Sequence, residues 1–431
     1  MSNASLSARA VDNRPPHPEA VAIAAKLLTW EHIVDPYPTY ARLRELEPVL
    51  FVKEMNAWLV TRFDDVKTAF SDDRLAVSFA QYQINRQGPA VVEEPYFKIA
   101  MSMLVCNDAP LHTRLRRVFR APFTSARIQG LAPMIEQLCR DRLDALYPSR
   151  RADVVADFSR EIPLATIGAL LNVPRDDYAQ VAQWVYDFAP VLEVSPMTDE
   201  QLSRSNDAIV GLESYFTDLV AHRRESPGED FISAVIQAND ADPEPMSESQ
   251  LVNNLSLLYF AGQDTQKYQF TNMVAALDAN PEAYEYVLQD IPGRVGILAR
   301  ELYRYDSTSQ FMGRTAREDV ELGGQLIRAG ETVMICNGGS NRDAGKFSDP
   351  DAIRFDRGPT NDMNAFMSFG AGRHRCLGVH LAQLQLPIML QTFLETLGRV
   401  HVERKAAIRH PSIATRGYDV LPVTWEVRSP A

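Results

Sequence analysis

One of the chain's four cysteines stands where it can do chemistry. Cys376 lies near the end of FGAGRHRCLG, Phe369 to Gly378, with glycines at 370, 372 and 378 and with Arg373, His374 and Arg375 beside it. A thiolate so placed can ligate a metal or attack an electrophile, and its neighbours favour the first. The glycines allow tight turns and close backbone approach to a flat ligand. The apolar run from Leu377 reads as a helix, so free N–H groups near Gly378 can point at the sulfur and temper its charge. Phe369 can cover the sulfur and exclude water. His374 and its flanking arginines can pair with anionic groups on the ligand. Cys106, Cys139 and Cys336 lack such surroundings and read as buried, inert thiols.

A second chemical stretch is AGQDT, Ala261 to Thr265, in the middle of the longest helical pattern, Ser247 to Asn280. Glycine inside a helix costs about 1 kcal/mol relative to alanine, which calls for a reason. Thr265 can bond back to the Ala261 carbonyl and bend or widen the turn, opening a groove beside Ala261 and Gly262. Gln263, Gln266 and Lys267 make the helix polar beyond Gly262. Lys267 is spaced to pair with Asp264 and so to alter proton delivery, unless this is a solvated face. His112 and Arg116 share a helix face in DAPLHTRLRRVFRAPF, as do Glu301 and Arg304 in RVGILARELYRY.

The spacing F-G-x-G-x-H-x-C-x-G resembles the haem-binding loop of the cytochrome P450 monooxygenases. AGQDT resembles that family's A-G-x-[D/E]-T, His112 and Arg116 its H-x-x-x-R, and Glu301 and Arg304 its E-x-x-R. The motifs fall in the family's order, and the resemblance runs from roughly Asp35 to Trp425. It implies haem b, with Cys376 as the thiolate ligand of the iron. It further implies that His112, Arg116, Arg314 and His374 serve the propionates and that Ala261, Phe369 and Gly378 adjoin the haem. Asp264 would relay protons, and Thr265 would hold a water or the oxygen species by hydrogen bond. Glu301 and Arg304 would form a structural network with a third basic residue, Arg357, or alternatively Arg354.

The family's pocket maps onto Tyr82, Tyr96, Phe188, Leu257, Ala261, Gln310, Phe311, Ile413 and Ala414. Ile84, Phe97, Val191, Leu192 and Thr308 are further candidates by position. STSQFMGR, Ser307 to Arg314, departs from the family in lacking its usual proline. Electrons would come ultimately from NAD(P)H through a ferredoxin-type or flavodoxin-type partner. That partner would dock on a basic face at Arg114, Arg117, Arg120, Arg373 and Arg375. Two other readings keep the same site: oxidative coupling, ring formation or peroxide-driven oxidation, and a haem-thiolate sensor or carrier without turnover.

The elements that must hold these residues are mainly helical. Helical patterns cover Tyr37–Glu47, Phe63–Phe70, the stretch after Pro110, Thr124–Tyr147, Ile162–Leu171, Asp176–Ala189, Thr198–Arg224 and Glu229–Asn239. The pair Asp176–Ala189 and Thr198–Arg224, with a loop at 193–196 between them, resembles lid helices over the pocket. Short strands are expected at Val49–Val52, Ala57–Val60, Val320–Leu322, Gln325–Ile327 and Thr332–Ile335, with a strand pair in SIATRGYDVLPVTW. Ser71–Asn107 reads as an irregular, pocket-lining loop. The expected architecture is a mainly α fold with a small β-rich subdomain. The haem would lie between the long central helix and the cysteine-loop helix.

The 431 residues are 45% hydrophobic and 23% charged, an ordinary globular composition. No repeat or long Gly/Ser linker divides them, so one domain is expected over 35–431, after a polar, partly disordered leader at 1–34. A net charge of −12 argues against a general nucleic-acid role. No apolar run approaches the length of a membrane span, and the N-terminus lacks the apolar core of a signal peptide. Four cysteines without a paired framework suit a reducing cytoplasm. These features point to the soluble bacterial type of the family.

Overall fold

The computed structural model describes residues 15–192, 196–358 and 363–426. Its axis is the helix Glu248–Ala279, 32 residues long. A capping box starts it: Ser247 Oγ accepts from the Gln250 N–H at 3.2 Å, and the Gln250 side chain accepts from the Ser247 N–H at 3.1 Å. Helices that pack on this one include Glu161–Leu170, Asp199–Glu225, Ile291–Tyr305 and Val379–Leu397. Buried on nearly every side, it needs no wide polar face.

Its two halves belong to different cores. Leu251, Leu255 and Tyr259 join a cluster with Phe188, Leu212 and Phe216 of the lid helices. Phe270, Met273 and Leu277 join the other large cluster, with Leu302, Phe369 and Leu386. Ala261–Thr265 falls at the seam, and there Ala261 and Thr265 are exposed. The helix itself runs through without a break. A Cβ on Gly262 would lie 3.0 Å from Ile167 Cδ1. Its glycine therefore lets the helix Glu161–Leu170 come close; the expected widening of the turn is not seen, and the opening is at Ala261 and Thr265.

The strands are β1 (Val49–Val52), β2 (Ala57–Val60), β3 (Leu75–Ala76), β4 (Arg151–Asp153), β5 (Phe311–Ala316), β6 (Val320–Leu322), β7 (Gln325–Ile327), β8 (Thr332–Cys336), β9 (Val400–Val402), β10 (Ile408–Arg409), β11 (Tyr418–Val420) and β12 (Pro422–Trp425). The largest sheet has the order β1-β2-β8-β5-β3. In it β2 and β8 are parallel, with Ala57 opposite Thr332, and the other pairs are antiparallel. β5 carries Arg314, whose charge acts on His374 of the cysteine loop.

Three expectations change. Ser71–Asn107 is not irregular: it holds helices Phe79–Gln87 and Pro95–Ala100. Phe79, Gln83, Tyr96, Phe97 and Ala100 are their buried faces, but each helix is too short to display its period against the polar residues between. The C-terminal strands do not pair with each other. β11 pairs with β10, whereas β12 lies between β4 and β9, because Leu421 takes the chain from one sheet into another. Finally, Pro18–Ala24 and Trp30–Val34 are helices, and Ala20, Ala24 and Leu27 pack against Tyr40 and Leu43. The packed part thus begins before Asp35, while 1–14 lie outside the described residues. Among the described residues no helix is long and apolar enough to cross a membrane.

Candidate active site

The cysteine loop is a tight frame around one sulfur. Gly370 and Gly372 have φ of +66° and +67°, values that L side chains rarely adopt. A Cβ on Gly372 would also lie 2.4 Å from the Phe70 carbonyl oxygen. The Cys376 N–H donates to the Phe369 carbonyl at 2.9 Å, closing the loop on itself. Cys376 is the exposed cysteine among the four; Cys106, Cys139 and Cys336 are buried. Burial pushes those three thiols up. At Cys376 the surrounding protein also raises the thiol, but the Gly378 N–H and the charges of Arg116 and Arg375 work against it. The net direction is up; the Gly378 N–H anticipated from the helix start, with the two arginines, offsets part of that rise.

Behind the sulfur, the Tyr303 ring lies 4.9 Å from that of Phe369. The Tyr303 hydroxyl reaches the Ala382 carbonyl at 3.2 Å and Gln266 Oε1 at 3.3 Å. This residue ties the cysteine-loop helix to the central helix one step past Thr265. Sequence reasoning missed it, since an aromatic residue within E-x-x-R looks like any core position.

Beside the loop, bases gather with little to bind. The rings of His112 and His374 lie 4.0 Å apart. His112 is 1% exposed, and neither of its ring nitrogens has a partner. Burial, with the His374 and Arg116 charges, lowers its pKa to about 4. The Arg116 guanidinium donates to the Arg375 carbonyl at 2.7 Å. Arg314 is buried and, among the described residues, its guanidinium donates only to its neighbour Gly313's carbonyl, at 2.7 Å; burial lowers it to about 10. His374 Nε2 stands 3.5 Å from Asp108 Oδ1. Asp108 also accepts from the Val77 and Ser78 N–H groups and from Arg317. Burial acts to raise the Asp108 carboxyl, but these donors hold it well below the usual carboxylate range. Asp108 was not singled out from sequence, although it stands four residues before His112.

Across the seam, Thr265 Oγ1 donates to the Ala261 carbonyl at 3.0 Å. Lys267 Nζ lies 2.8 Å from Asp264 Oδ1, with side chains 8% and 19% exposed. The pair forms as its spacing allowed, and Lys267 is not on a solvated face.

The buried network is complete. Arg304 meets Glu301 at 2.6 Å, both side chains 1% exposed, and Arg357 Nε meets Glu301 Oε1 at 2.8 Å. Arg304 also donates to the carbonyls of Asn341, Pro350 and Ala352. Arg354 contributes its backbone N–H to Glu301, while its side chain pairs with Asp349 and Asp356.

The pocket candidates scatter. Leu257, Tyr96, Phe97, Phe188 and Val191 are buried in the lid-side core, with Ile84 packed against it. Tyr96 donates to Gln83 Oε1 at 3.1 Å, and Phe188 packs on Phe260. Tyr82 is half-buried near Gly313. Phe311 packs edge-on against Tyr40 in the N-terminal cluster, where Ile413 also lies. Gln310 donates to the Ser307 carbonyl at 2.6 Å, and its amide fills the space beside Gly338. Strand alternation turns Phe311 to the face of the sheet opposite Arg314, and Gln310 satisfies loop backbone. Ala414 holds the Gln310 N–H through its carbonyl at 2.8 Å. Thr308 is buried with its hydroxyl unpartnered. The Leu192 side chain and 193–195 lie outside the described residues.

These residues fit a haem. A buried imidazole without partners and two guanidiniums bonded only to carbonyls are a costly arrangement that an anionic ligand resolves. Ala261 and Thr265 are exposed at the seam between two cores. Among the described residues no three His, Cys, Asp or Glu gather as a metal cluster.

Comparison with known proteins agrees. The family model described as cytochrome P450 matches residues 298–410. The chain is 32% identical over 394 residues to the putative cytochrome P450 123 of Mycobacterium tuberculosis, covering 91% of this chain and 95% of that protein. It is 32% identical over 401 residues to the 6-deoxyerythronolide B hydroxylase of Saccharopolyspora erythraea, covering 90% and 96%. The crystal structure of CalO2 superposes with a TM-score of 0.83 at 28% identity, covering 93% of this chain and 98% of that one.

Proposed function

Because this chain belongs to the cytochrome P450 family and is a monooxygenase of that kind, we propose that Cys376 is the thiolate ligand of its haem iron. His112, Arg116, Arg314 and His374 hold the two propionates. Haem bound here supplies dioxygen binding and, with two electrons, cleavage of the O–O bond, placing one oxygen atom in the substrate and releasing water. The chain's own residues do the rest. The Gly378 N–H and two arginines temper the sulfur's charge. Phe369 and Tyr303 keep water from behind it. Thr265, anchored on the Ala261 carbonyl, presents a hydroxyl at the seam, and Asp264 stands next to it as proton relay. Glu301, Arg304 and Arg357 hold the loop's base and touch no reacting atom.

The observation that carries this reading is the unpartnered His112 beside His374, in the same neighbourhood as the one exposed cysteine. The substrate is a small organic molecule of the secondary-metabolite type, taken up beside Ala261, Leu257 and Phe188. Relatives named as a 6-deoxyerythronolide B hydroxylase and a nocardicin C N-oxygenase support that class.

Electrons come from a separate ferredoxin-type or flavodoxin-type protein, ultimately from NAD(P)H. The basic face for it is narrower than its residue types suggested. Arg117 is paired with Asp242 and Arg373 with Asp73, which leaves Arg114, Arg120 and Arg375 to supply positive charge. Reversing Arg120 and Arg375 to Glu should slow reduction by an acidic ferredoxin; unchanged rates would remove this face.

The deciding experiment is the absorption spectrum of the reduced, carbon-monoxide-bound protein. A Soret band shifted to the red as thiolate ligation requires, and lost in Cys376→Ser, is expected. A parent protein without that shift would end the reading.

A further inference from the structure

Lys267 is the odd residue of the oxygen-side helix. A lysine is seldom fully buried unless paired, and this one is 6% exposed in the middle of the molecule. Its ammonium lies 2.8 Å from Asp264 Oδ1 and 4.1 Å from the centre of the Tyr268 ring. A carboxylate and an aromatic face together hold the charge that burial would otherwise expel.

The surroundings lead outward. The Tyr268 hydroxyl donates to Asp419 Oδ1 at 2.9 Å and stands 3.1 Å from His410 Nδ1. His410 and Asp419 are themselves 3.1 Å apart, and their side chains are 24% and 40% exposed. Burial works to raise the Asp419 carboxyl, but the His410 and Tyr268 hydrogen bonds and the Lys267 charge bring it below the ordinary value. Burial, then the charges of Asp264 and Asp419, push the Tyr268 phenol far up, so it stays neutral and donates. Tyr186, exposed on the lid helix Tyr178–Phe188, is a further titratable group acting on Tyr268. The ammonium thus lies against the acid that precedes Thr265 in the chain and against the ring of Tyr268, whose hydroxyl belongs to a hydrogen-bonded triad that reaches solvent.

We propose that Lys267 is the group that stores the proton delivered at this site, with Asp264 as its carboxylate partner and Tyr268, His410 and Asp419 as its link to solvent. The inference rests on the monooxygenase reading above. A proton leaves Nζ for the Asp264 carboxylate, and Asp264 passes one to the Thr265 hydroxyl as that hydroxyl gives up its own on the oxygen side. The neutral amine then regains a proton from solvent, entering by His410 and Asp419. No electron moves, and the net transfer is one solvent proton to the Thr265 side.

The test compares the haem-loaded parent with Lys267→Met, Lys267→Arg, Asp419→Asn and the double variant Lys267→Met/Asp264→Asn. Two readouts are taken: product formed per electron consumed, and the infrared spectrum in the carboxylic-acid C=O region. In Lys267→Met, product per electron should fall roughly tenfold or more, since a positioned proton donor contributes at least 10²-fold in rate. Half-buried and without its cation, Asp264 should take up a proton. A new acid C=O band should appear, absent from the parent and from the double variant. Lys267→Arg should show no such band and recover coupling only in part, because a guanidinium keeps the charge but does not give up its proton. Asp419→Asn should lower turnover and enlarge its solvent deuterium isotope effect while leaving the infrared region as in the parent. Parent-like coupling in Lys267→Met, or full recovery in Lys267→Arg, would overturn the proposal. The carbon-monoxide spectrum of the same parent sample separates the two failures. A missing thiolate band removes the monooxygenase reading, whereas an intact band with unchanged coupling removes only the role of Lys267.

Discussion

The imidazoles of His112 and His374 stack with a tilt, 4.0 Å between centroids and 39° between planes, although one lies on a helix of the first third of the chain and the other in the cysteine loop. Their different partners decide what each can do. His374 is steadied by Asp108, while His112 has no protein partner at either nitrogen. Only the second has both nitrogens left over for a ligand.

That difference predicts how haem is held. His112→Ala and Arg314→Ala should each remove one charge-assisted contact, worth about 1.5–3 kcal/mol, so haem retention should weaken roughly ten- to a hundredfold. Transfer of haem to an apo-globin acceptor measures it. Wild-type retention in the double variant would show that the propionates lie elsewhere.

Thr265→Ala should leave folding nearly untouched, within about 0.5 kcal/mol, because its side chain is exposed at the seam. Product per electron should drop and hydrogen peroxide release should rise. Coupling equal to the parent's would take Thr265 out of the mechanism.

Glu301→Gln should behave as a stability variant. It leaves Arg304 and Arg357 facing a neutral amide in a site where all three side chains are nearly inaccessible. Breaking a buried ion pair costs about 3–5 kcal/mol. Denaturant unfolding should show that loss together with poor haem incorporation. Protein that does load haem should keep the thiolate spectrum.

Acid should act on another buried pair. Asp306 receives Arg416 Nε at 2.6 Å and the Tyr37 hydroxyl at 2.7 Å. Burial works to raise its carboxyl, but Arg416, Arg409 and Arg342 outweigh it and the net direction is down. A carboxyl depressed in the folded state contributes stability that is fully present above its unfolded value, about 3.9, and is lost as pH falls through the folded value. Unfolding midpoints should therefore fall below about pH 4. Asp306→Asn should start less stable at neutral pH and fall less over that range. Parallel curves for the two proteins would rule the pair out as an acid trigger.

What could be read early has a local cause. The cysteine loop, AGQDT and the E-x-x-R pair are sets of neighbours along the chain. Glycine at positive φ, a hydroxyl bonding back one turn and an ion pair three residues apart follow from backbone geometry. The capping box at Ser247 and the Asp264–Lys267 spacing were legible for the same reason. The packing of the Ser307–Arg314 segment was not. Gln310 and Phe311 sit in the right segment, yet Gln310 bonds loop backbone and Phe311 packs on Tyr40.

The sequence by itself determined the family and the residue types around Cys376, because those depend on short-range spacing. Tertiary structure alone decided which bases remain without partners, that Tyr303 braces the sulfur's wall against Gln266, and that Lys267 opens toward Tyr268, His410 and Asp419. Each is a relation between segments far apart in the chain. It is set by how helices and sheets pack, which no local pattern of residues encodes.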